Sequence, residues 1–390
     1  MSGSVAAPRP ARSTGVVRAK AAPRRRASKT SEGPAARRER FMLRLTKAVP
    51  EAGAALISYL PNVRYLTGFT GSAGRLLVTA DRAVLVTDGR YRFQAVEQAP
   101  DVELVVTPDP PVEALAGLVR EMARGRLAVE AHALTWEESE EMRRTWTGVE
   151  LVPSGRLVEE IRQVKEESEL AAVRRAAALA EGAFLYVLSR MKPGMREREV
   201  ATILDAAMLQ AGADSASFPT IVASGKNAAL AHHQPGNAEL KIGEFIVIDF
   251  GCVADGYCSD ETRTVVIGRV SGRHREVYDA VKASQAAGLA AVKHGASCGD
   301  VDRAARSVME AAGLGAAFEH STGHGVGMEI HEAPRLKAGS DDKLTSRMVV
   351  TVEPGAYIKD FGGVRIEDLV VVGAKGPEVL TVAPKELIIL

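Results

Sequence analysis

A chain of 390 residues with 46% hydrophobic residues exceeds the usual size of one domain, so two domains plus a tail are expected. No apolar run approaches the roughly 18 residues that span a bilayer, which excludes a helical membrane anchor and predicts a soluble protein. The net charge of +1 conceals an asymmetry: residues 1–40 carry 11 Lys/Arg against 2 Asp/Glu, which leaves 39 against 47 for the remainder. The mildly acidic body shows no sign of a nucleic-acid groove, and the basic arm ending in RRRASK and RRER is the one polyanion candidate.

Residues 1–40, rich in Ala, Pro, Arg and Ser, read as a disordered extension, and an organellar transit peptide has the same Arg-rich, acid-poor composition. A secretory signal is disfavoured because the arm has no apolar h-region. The three cysteines, Cys252, Cys258 and Cys298, form no disulfide framework and point to a reducing compartment, here the cytoplasm.

Residues 41–153 alternate short apolar strands (AALISY, RLLVTA, RAVLVT, VELVVT, RLAVE) with helical stretches at 111–124 and 135–144, which predicts an α/β domain. After Pro153-Ser154-Gly155 the character changes to long amphipathic helices, placing a second domain at 154–390. This second domain contains an approximate internal repeat. A helix pair at 165–191 and 196–211 precedes EFIVIDF and YCSDETRTVVI, and a second pair at 273–293 and 299–312 precedes RMVVTVEP and GGVRIEDLVVV. Each half thereby delivers an antiparallel strand pair with two acids.

In the first half, Asp255-Gly256 is a two-residue hairpin signal between Asp249 and Asp260. Registers that differ by two residues keep both carboxylates on one face, so the two acids can converge. In the second half, Glu353 and Glu367 bracket a connection ending in Asp360-Phe361-Gly362-Gly363. Arg365 shares the face of Glu367 as an orienting partner. Burying four unpaired carboxylates would cost several kcal/mol each, to order of magnitude, so bound cations are expected. His324, in the glycine-rich HSTGHGVGMEIH, adds one nitrogen ligand on a backbone free to approach closely. One imidazole with four carboxylates suits a pair of divalent ions, Mn²⁺ first and Co²⁺ or Zn²⁺ as alternatives, of the kind two-metal hydrolases use.

HHQP followed by VIDFG, GYCSDETRT, STGHGVGMEIHE, TVEPG and GGVRIED resembles, in order and spacing, the signature segments of the pita-bread metallopeptidases: aminopeptidase P, prolidase and methionine aminopeptidase. PNVRYLTGFTGSAG resembles the amino-terminal domain of the short bacterial Xaa-Pro peptidases. The resemblance implies a creatinase/prolidase-like α/β amino-terminal domain and an α+β pita-bread catalytic domain with a pseudo-twofold repeat. It implies a homodimer acting on proline-containing peptides. It further implies that Asp249 binds one metal, Asp260 and Glu367 bridge both, and His324 with Glu353 completes the second. Glu353 would be general base, His331 the oxyanion-stabilising residue and His232 a substrate contact, with His320, Tyr357 and Arg365 as supporting residues.

Arg335, eleven residues after His324, resembles the arginine with which prolidases hold a dipeptide carboxylate, although the HEAP segment also resembles aminopeptidases P. Methionine aminopeptidases generally lack the α/β domain, and creatinases lack the full ligand set. A non-catalytic binding module of the same fold is the alternative from another class, and metal content discriminates the two.

Overall fold

The computed structural model describes residues 17–19, 32–107 and 112–390. These divide into two compact units between Ile161 and Arg162, eight residues beyond the boundary expected at 153/154. The first unit extends past Pro153 because Ser154 N–H donates to Val129 O at 2.8 Å, continuing the strand ladder. The short helix that follows, Leu157–Arg162, is also held there, through His132–Glu159 at 2.7 Å and Arg44–Glu160 at 2.8 Å.

The first unit is a seven-stranded mixed sheet in the order Val17–Ala19, Glu103–Val106, Ala83–Thr87, Arg75–Thr79, Ala54–Ile57, Arg126–Val129, Glu150–Pro153. Its five inner strands are the apolar segments expected from the sequence, and runs such as AALI are buried throughout, as central strands covered on both faces must be. The helices Val112–Ala123 and Trp136–Thr145 coincide with the helical stretches expected there. The second starts at a capping box, in which Thr135 accepts from Glu138 N–H while the Glu138 carboxylate accepts from Thr135 N–H.

The expected tail is corrected at its end. A helix runs from Pro34 to Ala48, so ordered structure begins inside residues 1–40. Phe41, Met42 and Leu45 bury one face of it, and Arg37 and Arg38 donate to the carbonyls of Tyr65 and Leu66. Arg38 also meets Asp101 at 2.5 Å. Two arginines of RRER are therefore committed within their own unit, which removes them from any polyanion surface. The rest of the disordered extension and transit peptide read in residues 1–40 lies, apart from the short strand at 17–19, outside the described residues.

The second unit shows the internal repeat directly. Helices Glu167–Leu188 and Glu197–Gln210 lead into the strands Ile221–Ser224, Phe245–Phe250 and Glu261–Val266. Helices Gly272–Ala291 and Cys298–Ala311 lead into Gly323–Gly325, Val349–Val352 and Asp368–Val372. In both halves the middle strand pairs antiparallel with the other two. This is the pita-bread arrangement, α+β with a pseudo-twofold.

Strand alternation decides what faces the centre. Ile246, Ile248 and Phe250 pack on Ala180, Phe184 and Leu204 of the first helix pair. Phe245 and Val247 point the other way, toward Ala356, Val364 and Ile366 of the second hairpin, and Asp249 continues that row. Val350 and Val352 likewise pack beside Leu289 and Val301, which turns Thr351 and Glu353 to the opposite face.

Candidate active site

The first hairpin has one register throughout. Asp249 pairs with Thr262 beyond the turn, and Val253 with Cys258 nearer to it, so the ladder places Gly251 opposite Asp260. Asp249 and Asp260 therefore stand diagonally on one face, as the sequence predicts. The turn is Asp255-Gly256, both with positive φ (52° and 79°), the type I′ geometry that matches strand twist. Gly251 has no room for a side chain, because a Cβ there would lie 2.0 Å from Ser259 O.

The second hairpin also keeps one register. Val352 pairs with Asp368 and Gly355 with Arg365, which sets Glu353 opposite Glu367. The hairpin opens at this pair. Glu353 N–H donates to Thr322 O at 2.8 Å, and Glu367 N–H donates to Thr262 O of the first hairpin at 3.1 Å. That second bond delivers the two carboxylates of one half to the two of the other. Thr262 reinforces the join: its hydroxyl donates to Glu367 Oε2 at 2.7 Å and accepts from Arg365 Nε at 3.0 Å.

His324 sits in the strand Gly323–Gly325, where a Cβ on Gly323 would lie 2.0 Å from Thr351 O and one on Gly325 would lie 2.3 Å from Ala333 O. The glycines thus permit the close approach expected of them. Nδ1 of His324 donates to Gly325 O at 3.0 Å, which turns Nε2 toward Asp260 Oδ2 at 3.5 Å and Glu353 Oε1 at 3.3 Å; protonated, Nε2 donates to these carboxylates, and the same nitrogen offers a lone pair when a cation takes the place of its proton. Asp260, His324 and Glu367 offer ligand atoms all within 4.8 Å of one another.

The electrostatics carry the need for a cation. Burial, then repulsion from Glu367, Asp249 and Glu353, pushes the Asp260 carboxyl well above its ordinary value. Burial and then the charges of Glu353 and Asp249 do the same to Glu367, and burial raises Asp249 despite Arg365 at 2.6 Å. Glu353 is the exception: burial opposes its ionisation, but the hydrogen bond and charge of His324 hold it low. Two buried oxygens, Asp249 Oδ1 and Glu367 Oε1, have no hydrogen-bond donor. Unsatisfied buried carboxylate oxygens beside an imidazole nitrogen fit divalent cations in both charge and donor type.

These groups open on a cavity of about 450 Å³ lined by Asp249, Asp260, His324, Glu353, Glu367, His232, His320, His331, Arg335 and Arg365. Of the residues singled out in the sequence, Tyr357 alone does not line it. Its hydroxyl lies behind, accepting from Arg365 Nη1 at 2.7 Å and 3.0 Å from His320 Nε2. Because His320 Nδ1 faces the Ser321 carbonyl at 2.8 Å and donates to it, the tyrosine donates to Nε2. His331 packs edge-on against His324, centroids 4.5 Å apart, and burial followed by the His324 charge lowers its pKa, favouring the neutral ring. Arg335 pairs directly with His324 across adjacent strands and so shares its cavity-facing side.

Sequence reasoning missed three features. Thr262 and Thr351 fasten the carboxylates; Thr351 donates to Glu353 Oε1 at 3.1 Å while accepting from His324 N–H at 3.0 Å. Phe218, Pro219, Ile221 and Ile330 supply apolar wall to the cavity. Glu197 anchors the loop that carries His232. The threonine in DETRT was the one local signal, since alternation puts it opposite Asp249.

Comparison with known proteins accords with this geometry. Residues 171–374 match Metallopeptidase family M24, and residues 37–164 match the Creatinase/Prolidase N-terminal domain. An uncharacterized peptidase of Bacillus subtilis is 42% identical, the alignment covering 86% of this chain and 95% of that protein. Among solved structures, an Xaa-Pro dipeptidase from Bacillus anthracis superposes with TM-score 0.87 at 39% identity, over 90% of this chain and 100% of the other. An X-Pro aminopeptidase from Thermotoga maritima superposes with TM-score 0.83 at 32% identity, over 89% and 100%. Spanning these relatives nearly end to end, with its two hairpins converging four carboxylates and a histidine on one cavity, the chain belongs to metallopeptidase family M24.

Proposed function

We propose that this protein hydrolyses the bond between an amino-terminal residue and a following proline, using two divalent cations held by Asp249, Asp260, His324, Glu353 and Glu367. The observation that carries the reading is the excess of buried carboxylate in a cavity with unsatisfied oxygens on Asp249 and Glu367. The names of the solved relatives, a dipeptidase and an aminopeptidase for Xaa-Pro substrates, support the bond. Mn²⁺ is the first choice for this oxygen-rich set, with Co²⁺ or Zn²⁺ as alternatives.

When bound, such cations polarise the scissile carbonyl and make water acidic enough to attack near neutral pH. Asp260 and Glu367 lie between the two halves and would be shared by both cations, Asp249 serving one and His324 with Glu353 the other. Glu353, held ionised by its neighbours, takes the proton of the attacking water and passes it toward the leaving nitrogen. His331, neutral and at the cavity edge, donates to the oxyanion that develops on the carbonyl. Arg365 fixes Asp249, and through Tyr357 the arrangement extends to His320. His232, which lines the same cavity, contacts the substrate.

Arg335 favours the dipeptide. A guanidinium on the His324 side of the cavity suits the carboxylate that follows proline in a dipeptide, and a longer peptide offers no charge there. Phe218, Pro219 and Ile330 give the pyrrolidine ring an apolar wall. Comparing an Xaa-Pro dipeptide with an Xaa-Pro-Xaa tripeptide in Mn²⁺ tests this: the expected result is faster turnover of the dipeptide. Equal or better use of the tripeptide assigns the protein to the aminopeptidases, and hydrolysis of neither refutes the reading.

A homodimer is part of the proposal, and light scattering reads it. So is a cytoplasmic location, which the three free, buried cysteines support.

A further inference from the structure

Glu197 is a fully buried carboxylate that none of the catalytic steps uses. It is the first residue of the helix Glu197–Gln210, and both of its oxygens are occupied. Oε1 accepts from Ser224 N–H at 2.8 Å, Ser224 Oγ at 2.9 Å and Asn227 Nδ2 at 3.0 Å. Oε2 accepts from Gly236 N–H at 3.1 Å and lies 2.8 Å from His233 Nε2. Burial raises such a group, yet these donors outweigh it and leave the carboxyl below its usual range.

The partners of Glu197 are not scattered. Ser224 ends the strand before the loop 225–244, and His233 and Gly236 lie immediately after His232, so one carboxylate grips the chain on both sides of it. Between the grips, Arg365 Nη1 donates to Ala231 O at 3.3 Å. His232 is thus held against the cavity by a carboxylate behind the loop and by the arginine that orients Asp249.

The other half of the repeat contains the corresponding device. Asp302, on the second helix of its pair and also buried, accepts from Thr322 N–H at 3.2 Å and Thr322 Oγ1 at 2.8 Å. It holds Arg306, which donates to His320 O at 2.9 Å. In each half, a buried acid on the second helix fixes the loop that presents a cavity histidine.

We propose that Glu197 is the positioning residue for His232: it sets the placement of that imidazole in the cavity without touching substrate. This rests on the reading of His232 as a substrate contact. Misplacing a substrate-orienting group by about 1 Å costs on the order of a hundredfold in rate. Glu197→Ala is therefore expected to lower kcat/KM roughly ten- to a hundredfold, with the same division between kcat and KM as His232→Ala and with unchanged metal content. In the double variant the two losses do not multiply. Glu197→Gln, which keeps one acceptor oxygen, falls between wild type and Glu197→Ala.

If Glu197→Ala does not fold, His233→Ala removes one grip from the loop side and is expected to show the same non-multiplicative pairing with His232→Ala. Independently of activity, the ring resonances of His232 in the full chain shift or broaden in either variant. Multiplying losses, or an unchanged His232 resonance, overturn the proposal. An undiminished His232→Ala enzyme overturns it together with the role of His232, and a wild-type chain inactive on Xaa-Pro peptides marks failure of the functional reading instead, with the resonance then deciding the positioning role alone.

Discussion

Glu332, in the strand Glu332–Leu336, and Glu367, just before the strand Asp368–Val372 of the same five-stranded sheet, both have buried side chains, yet their carboxyls shift in opposite directions. Glu332 meets Arg162 at 2.5 Å and Lys165 at 3.1 Å, and although burial pushes it up, these two cations hold it below its usual range. Glu367 has a hydroxyl donor and three carboxylate neighbours, and it is pushed well above. Burial alone therefore says little about what a buried acid is for. The chain balances the first cluster with its own basic residues and leaves the second short of positive charge, which is the condition for recruiting cations from solution.

The comparison can be broken at either cluster. The largest effect is expected from Glu353→Ala, which removes both a proposed ligand and the proposed base: turnover of Xaa-Pro substrates falls by about 10³-fold or more, measured by steady-state hydrolysis with Mn²⁺ present. Near-normal turnover would remove Glu353 from the mechanism. At the balanced cluster, Glu332→Gln takes the carboxylate from the buried Lys165 and leaves Arg162 with Glu329 at 2.8 Å, which should lower stability by about 3 kcal/mol, read by denaturant unfolding.

That stabilisation has a definite pH signature. The folded carboxyl of Glu332 lies below the ordinary glutamate range, so its contribution is complete above the unfolded pKa and is lost as pH falls through the folded one. Glu332→Gln should lose this acid-dependent part and leave the alkaline side flat. A variant as stable as wild type at neutral pH would show that the cluster is not the structural counterpart described.

A smaller effect sharpens the substrate side. Arg335→Ala removes a charge-assisted contact of about 1.5–3 kcal/mol, which corresponds to roughly a ten- to hundredfold rise in KM for the dipeptide. Tripeptide hydrolysis should be little changed. Equal losses on both substrates would place Arg335 outside carboxylate recognition.

The convergence of the four carboxylates was legible in the sequence because it is built from local rules. Asp255-Gly256 specifies a turn, alternation then puts Asp249 and Asp260 on one face, and the same parity sets Glu353 against Glu367. The helix pairs emerged within a few residues for the same reason, their apolar periodicity being local. The features that escaped depend on partners far apart in the chain. Thr262 reaches Glu367 across 105 residues, and Glu332 reaches Arg162 across 170. The start of the first helix was hidden because Arg37 and Arg38 looked like solvated charges, and distant partners, among them the carbonyls of Tyr65 and Leu66, show why they are buried.

The central claim is that the unbalanced cluster is a site for two divalent ions. Its most direct test is calorimetric titration of Mn²⁺ into chelator-treated protein, alongside the Asp260→Asn/Glu367→Gln variant. Two ions per chain are expected for the wild type, with loss of that binding in the variant. No binding by a folded wild type, or undiminished binding by the variant, would contradict it.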